Sequence, residues 1–147
     1  MYRAFTKVKH DDNVFLPTYS YRMLKHLHKK LPNAEYIFSD FDILRDSVSS
    51  DIGINAPTVS TKLEESDAKK DYKDYLVPRG SADIFFPTNF RFLSSMHRRI
   101  TGKPSQVMKS YQFVDEHSDK NWVNTQSGYN PLKEDFSNTA FFLSKNV

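Results

Sequence analysis

The stretch GSADIFFPTNFRFL, residues 80–93, sets three signals side by side. Ile84, Phe85 and Phe86 form a short apolar run behind a glycine turn. Pro87 then removes a backbone donor, which confines it to the end or the edge of a strand. Asn89 is a strong helix N-cap. Phe92, Leu93, Met96 and Ile100 follow at i, i+1, i+4 and i+8, the apolar stripe of an amphipathic helix, and Gly102 is placed to stop it. The spacing therefore predicts a strand near 82–87, a tight turn, and a helix near 90–101. In open α/β sheets ligands bind at the carboxyl ends of strands, so this junction is where a site is expected.

The same alternation continues outward on both sides. Met23, Leu24, Leu27 and Leu31 recur at helical spacing in LPTYSYRMLKHLHKKLP. Thr18 or Ser20 is available as a cap and Pro32 as a stop, giving a helix near 19–31. NAEYIFSDFDIL follows as a strand near 35–41, and the contiguous Tyr36, Ile37 and Phe38 are what a strand covered on both faces shows. A helix followed closely by such a strand is half of a βαβ unit. QVMKSYQFVDEH predicts a short strand or turn and then a helix near 109–117, NWVNTQSGYNPL a loop, and SNTAFFLS a last strand near 138–144. Between the first strand and residue 80 runs a long polar excursion, about 45–79, with a short β-like piece at Pro57–Thr61. Its mixed-charge part, 62–74, is expected to be a flexible loop. The fold class expected is α/β, three-layer, in a single domain spanning 1–147.

Composition narrows the function classes. The 147 residues are about one domain's worth, and hydrophobic residues make up 38% of them. Twelve Phe and eight Tyr mean that much of the core is built from rings. The absence of cysteine excludes disulfides and thiolate metal sites. No apolar window is long enough for a membrane span. A net charge of +3 is only mildly basic.

The four glycines, Gly53, Gly80, Gly102 and Gly128, are scattered. A nucleotide-cradling loop needs two or three together, because backbone must approach the ligand without a Cβ. His26 and His28 are two apart on a helix, about 200° around it, and cannot share a metal. No metal ligand set is assigned. The basic residues Arg22, Lys25 and Lys29, with Arg98, Arg99 and Lys103, could contact phosphates, but without interleaved aromatics they read as a solvated helix face, and nucleic acid is the disfavoured partner. Asp40 and Asp42 leave the apolar strand on either side of Phe41, where a carboxylate can accept from a ligand hydroxyl or amine, or simply cap a turn. Asp40, Asp42, Asn89 and Phe90, at two strand ends, are the candidate substrate-binding residues; no catalytic residue is assigned.

VFLPTYSYRMLKHLHKKLPNAEYIFSDFDIL, GINAPTV, DYLVPRGSADIFFPTNFRFLSSMHRRITGK and NPLKEDFSNTAFFLS, in this order, resemble the carboxyl-terminal half of the MidA-type methyltransferases, and most closely their fungal branch. The resemblance covers roughly residues 13–144. It implies a Rossmann-like class I sheet, S-adenosylmethionine as the cofactor of the full family member, symmetric dimethylation of a protein arginine, a role in mitochondrial complex I assembly, and a mitochondrial location. It also implies that the glycine-rich cofactor loop lies upstream of the matched part, so that no cofactor-binding residue is expected in this chain alone. The partners implied are a protein substrate or the missing amino-terminal half. Where bacterial members have a pattern close to HVDF after the strand, this chain has PTNF at Pro87–Phe90, so no catalytic role passes to Pro87 or Asn89. Two other readings are a non-catalytic relative that kept a protein-binding surface and an unrelated basic nucleic-acid-binding domain.

Overall fold

The computed structural model describes residues 13–44, 56–62, 69–119 and 125–144. The chain divides into two compact units, one built from 1–16 and 46–86, the other from 17–45 and 87–147.

The smaller unit holds a three-stranded antiparallel sheet. Its strands are β2 (Thr58–Lys62), β3 (Lys69–Tyr72) and β4 (Asp83–Phe85), in the order β3-β2-β4. The central strand is covered on both faces: Thr58, Val59 and Ser60 are all buried. Ile84, opposite Val59, stays half exposed. Phe15 sets its ring edge-on to Tyr75 at 5.5 Å and against Phe86 at 6.3 Å.

Two sequence expectations change here. Strand β3 lies inside the loop expected at 62–74, of which 63–68 falls outside the described residues. KKDY has little strand propensity of its own, but pairing with β2 overrides it, and Lys70 lies over the Tyr72 ring at 5.1 Å. Strand β4 is present where the opening stretch put it, yet it pairs with β2 and not with the strands at 37–41 and 139–144. Three residues of apolar character locate a strand without saying which edge will accept it.

The larger unit contains α1 (Thr18–Lys30), β1 (Ile37–Phe41), α2 (Phe90–Thr101), β5 (Ser105–Lys109), α3 (Ser110–His117), α4 (Pro131–Glu134) and β6 (Thr139–Ser144). Sheet order is β1-β6-β5, and β6 is antiparallel to both neighbours. β1 and β5 therefore run parallel to one another, joined by a crossover through α2, with β6 inserted between them. Both pairings are antiparallel, so the described strands form a small antiparallel sheet in a mixed α/β unit. The three-layer Rossmann-like sheet that the resemblance implies is not shown by these three strands, and pairing direction is not encoded by contiguous apolar residues.

Alternation along the strands sorts the two faces. On one face Phe38, Phe142 and Val107 lie in a cross-strand row. Leu24 of α1 and Phe90, Leu93 and Met96 of α2 pack onto this row with Ala140. Phe142 is fully buried and stacks on Phe38 at 5.6 Å. On the other face Phe113 of α3 stacks flat on Phe141, centroids 4.0 Å apart, and Met108, Val114 and Leu143 are buried. α3 covers β5 and β6. It leaves the matching residues of β1 open: Ile37 is 63% exposed and Phe41 40%. Covered on one face only, β1 departs from the two-sided burial read from Tyr36–Phe38.

Helix ends follow local chemistry. Asn89 Oδ1 accepts from Phe92 N at 3.0 Å, and Gly102, at φ 73°, supplies the left-handed cap that a side chain resists. α1 starts differently from expectation: neither Thr18 nor Ser20 caps it, and Tyr21 N donates instead to the Pro17 carbonyl. The short helix α4 interrupts the expected loop because Asn130 accepts from Leu132 N and Lys133 N ahead of Pro131.

Candidate functional site

Because β1 and β5 are parallel, their carboxyl ends emerge at one edge of the larger unit's sheet. Asp40 and Lys109 face each other across Ala140 of β6 on the face that carries α2. Asp42 lies just beyond the end of β1, its N–H bonded to the Asn138 carbonyl at 2.9 Å. Lys109 Nζ donates to both carboxylate oxygens of Asp42, at 2.5 and 2.6 Å, with both side chains about three-quarters buried. Lys109 is held in place by its own backbone, whose N–H donates to Gln112 Oε1 in the first turn of α3.

Asp40 is anchored separately. Its Oδ2 accepts from Thr88 Oγ1 at 2.7 Å and its Oδ1 from Phe41 N at 2.8 Å. Thr88 N donates to the Phe41 carbonyl at 2.8 Å. The end of β1 is thus fastened to the residues just before α2.

The four residues singled out in the sequence take unequal places. Asp40 and Asp42 come together at one sheet edge, and of the two Asp40 is the exposed one. Asn89, next in the chain to the Thr88 that bonds Asp40, serves as the cap of α2, while Phe90 is buried in the core with Leu93 and Met96. Sequence reading missed Thr88 and Lys109. A lysine closing a strand is a usable signal only once that strand is known to run parallel to the one ending in Asp42, and the two residues are 67 apart.

His97 sits four residues after Leu93 on the apolar stripe of α2. It is 1% exposed, edge-on to Phe142 at 5.2 Å and to Tyr36 at 6.5 Å. Its Nδ1 has no hydrogen-bond partner among the described residues. Burial lowers its pKa, the positive charges of His28 and Lys103 lower it further, and a hydrogen bond with the Lys103 backbone opposes them. These are the marks of a neutral core histidine, not of a ligand.

No group of three or more His, Asp or Glu able to hold a metal occurs among the described residues, and no helix there is long and apolar enough to cross a membrane. The glycines test the fit of a nucleotide-like cofactor. Gly80, Gly102 and Gly128 all have positive φ, and a Cβ added to any of them meets nothing within 4 Å. They serve turns and a helix cap, and none marks a close approach of backbone to a ligand; Gly53 lies outside the described residues. The described residues do not form a cradle for S-adenosylmethionine.

Comparison with known proteins gives one match. Residues 1–109 fit the model of a family described as "Putative S-adenosyl-L-methionine-dependent methyltransferase". No curated protein matches. No solved structure matches either. The matched part takes in the smaller unit and, of the larger one, α1, β1, α2 and β5. The chain belongs to this S-adenosyl-L-methionine-dependent methyltransferase family.

Proposed function

We propose that this chain is the carboxyl-terminal portion of a MidA-type protein arginine methyltransferase of the fungal branch, active in mitochondrial complex I assembly in the mitochondrion. The observation that carries the reading is the family match over residues 1–109. The strand order supports it. Two parallel strands joined through a helix, with an antiparallel strand between them, are what the margin of a mostly parallel sheet looks like. The cofactor is then held by a glycine-rich half that this chain works with, since its described glycines serve turns and a helix cap. Its contribution is then the sheet margin and the carboxylates at its edge. Asp40, exposed and oriented by Thr88, has lone pairs left to accept from a cationic side chain such as arginine. Asp42 is already neutralised by Lys109 and positions the margin.

A second reading has its own support. Asp42, Asn89 and Phe90 are each engaged in an ion pair, a helix cap or the core, which fits a relative that kept a protein-binding surface without catalysis.

Calorimetric titration with S-adenosylmethionine separates these readings. The chain alone is expected to give no heat of micromolar binding. Co-expressed with the glycine-rich half of a MidA-type enzyme, it is expected to bind the cofactor and to transfer methyl groups to protein arginine, read by mass spectrometry. Micromolar binding by the chain alone sinks the division of labour. Binding without transfer by the combined protein favours the non-catalytic reading.

A further inference from the structure

The two helices on the outer side of the larger unit carry no acidic residue at all. α1 bears Arg22, Lys25, Lys29 and Lys30, and α2 bears Arg91, Arg98 and Arg99. All are exposed, and none has a carboxylate partner among the described residues. A chain of net charge +3 that concentrates so many cations on two helices must be net acidic elsewhere.

The helices present these charges together. Successive helical residues turn by about 100°, so Arg22, Lys25 and Lys29 lie within about 60° of arc, on the side away from buried Leu24. Arg91 and Arg98, seven apart, lie about 20° from one another, on the side away from buried Leu93. Leu24 and Leu93 belong to the same core cluster, and α1 packs on α2. The outward stripes therefore form two rows of cations, each about 10 Å long, on helices whose packed axes lie about 8–10 Å apart. Lys103 Nζ, bonded to the Pro32 carbonyl at 2.9 Å, ties the ends of the helices together.

Helix dipoles explain only part of this. Cations in a last turn are favourable there, which accounts for Lys29, Lys30, Arg98 and Arg99. Arg91 stands in the first turn of α2, where a cation is disfavoured, and Arg22 and Lys25 are outside any last turn. Insertion into a membrane surface needs a broad apolar helix face, but Leu24, Phe90, Leu93 and Met96 are in the core and only Tyr19 and Met23 are left as exposed large hydrophobics on the two helices. Base stacking needs several aromatics among the charges, and Tyr19 is the single exposed Phe, Tyr or Trp on the two helices.

We propose that the outward face of α1 and α2 binds the phosphate backbone of duplex nucleic acid, without base readout. This departs from the expectation of a solvated face, and it is independent of the methyltransferase reading. Five stripe cations neutralising five phosphates give a slope of log K against log salt of about −4.5, a loss of affinity of several hundredfold between 50 and 200 mM salt.

The test is fluorescence anisotropy of the full chain with labelled 20-base-pair RNA and DNA duplexes across that salt range. The expected result is binding to both, with the slope given. The triple variant Arg22→Glu, Lys25→Glu, Lys29→Glu should weaken binding at least tenfold at 100 mM salt and make the slope shallower by about 3. Arg91→Glu alone should weaken binding while keeping or raising thermal stability, because it puts an acid at the start of α2. Lys73→Glu, the same charge change in the other unit, should leave binding unchanged. An unchanged affinity in the helix variants, or a Lys73→Glu loss of equal size, overturns the proposal. So does tighter variant-sensitive binding to phosphatidylserine vesicles or to a polyglutamate peptide than to either duplex.

Discussion

Lowering the pH from 7.5 to 5.5 should destabilise this protein through one side chain, His97. Its imidazole is 1% exposed and lies against Tyr36 and Phe142, with no partner for Nδ1 among the described residues. Burial and the nearby positive charges of His28 and Lys103 lower its pKa from the usual 6.5. In the unfolded chain it takes up a proton below about 6.5; in the folded chain it resists. The unfolded state then binds more protons, so stability rises with pH. The contribution is fully present above the unfolded pKa and is lost as pH falls toward the folded one. One proton sets the ceiling, about 1.4 kcal/mol per pH unit, and about 1.4 kcal/mol in total across this interval. That corresponds to about 3–6 °C in Tm for a chain of this size. Urea unfolding followed by circular dichroism at half-unit steps measures it, and stopping at pH 5.5 keeps carboxylate titration out of the window. His97→Phe removes the titrating group while keeping a ring in the core. The read-out is the pH slope, not the absolute stability, because the substitution also gives up the hydrogen bond with the Lys103 backbone. Equal slopes in the two proteins, or a wild type more stable at pH 5.5 than at 7.5, would refute the reasoning.

Phe142→Ala should destabilise the larger unit by about 3–5 kcal/mol, since Phe142 is wholly enclosed between Phe38, His97 and the helices; denaturant midpoints check it. Asn89→Ala should remove about 1 kcal/mol by taking the acceptor from Phe92 N, and Asn89→Asp should restore it in the same assay. The outer edge of β1 should make the isolated chain self-associate. Ile37 and Ser39 turn their backbone groups away from β6 with no partner among the described residues, beside an exposed Ile37 side chain. Ser39→Pro, which deletes one of those donors, should shift size-exclusion profiles toward monomer; a monodisperse wild-type monomer unfolding above about 60 °C, near the top of the range for mesophile domains, would contradict this.

Much of the element order was legible because it is written locally. Asn89, the stripe through Leu93 and Met96, and Gly102 bracket α2 without reference to the rest of the chain. The run at Ala140–Leu143 marks β6 just as directly. Pairing was not legible. Whether β1 meets its neighbour parallel or antiparallel, and whether Ile84–Phe85 joins that sheet or another, depends on contacts far apart in sequence. Strand β3 stayed hidden because Lys69–Tyr72 is charged and gains its order from β2. The candidate site was half visible. Asp40 and Asp42 stood out as acids at a strand end, but Thr88 and Lys109 acquired meaning only when parallel strands brought their ends together.

The fastening of Phe41 to Thr88 has a consequence for chain length. Two hydrogen bonds, backbone and side chain, hold the residues that bracket the stretch 42–87 within contact distance. To the larger unit the intervening chain, which includes 46–86 of the smaller unit, is a loop whose ends are brought together here. Closure entropy grows slowly, about 0.6 kcal/mol for each doubling of length. The junction therefore works as a port at which sequence can be lengthened, shortened or exchanged while β1 and α2 keep their places, provided Asp40 and Thr88 remain to latch it.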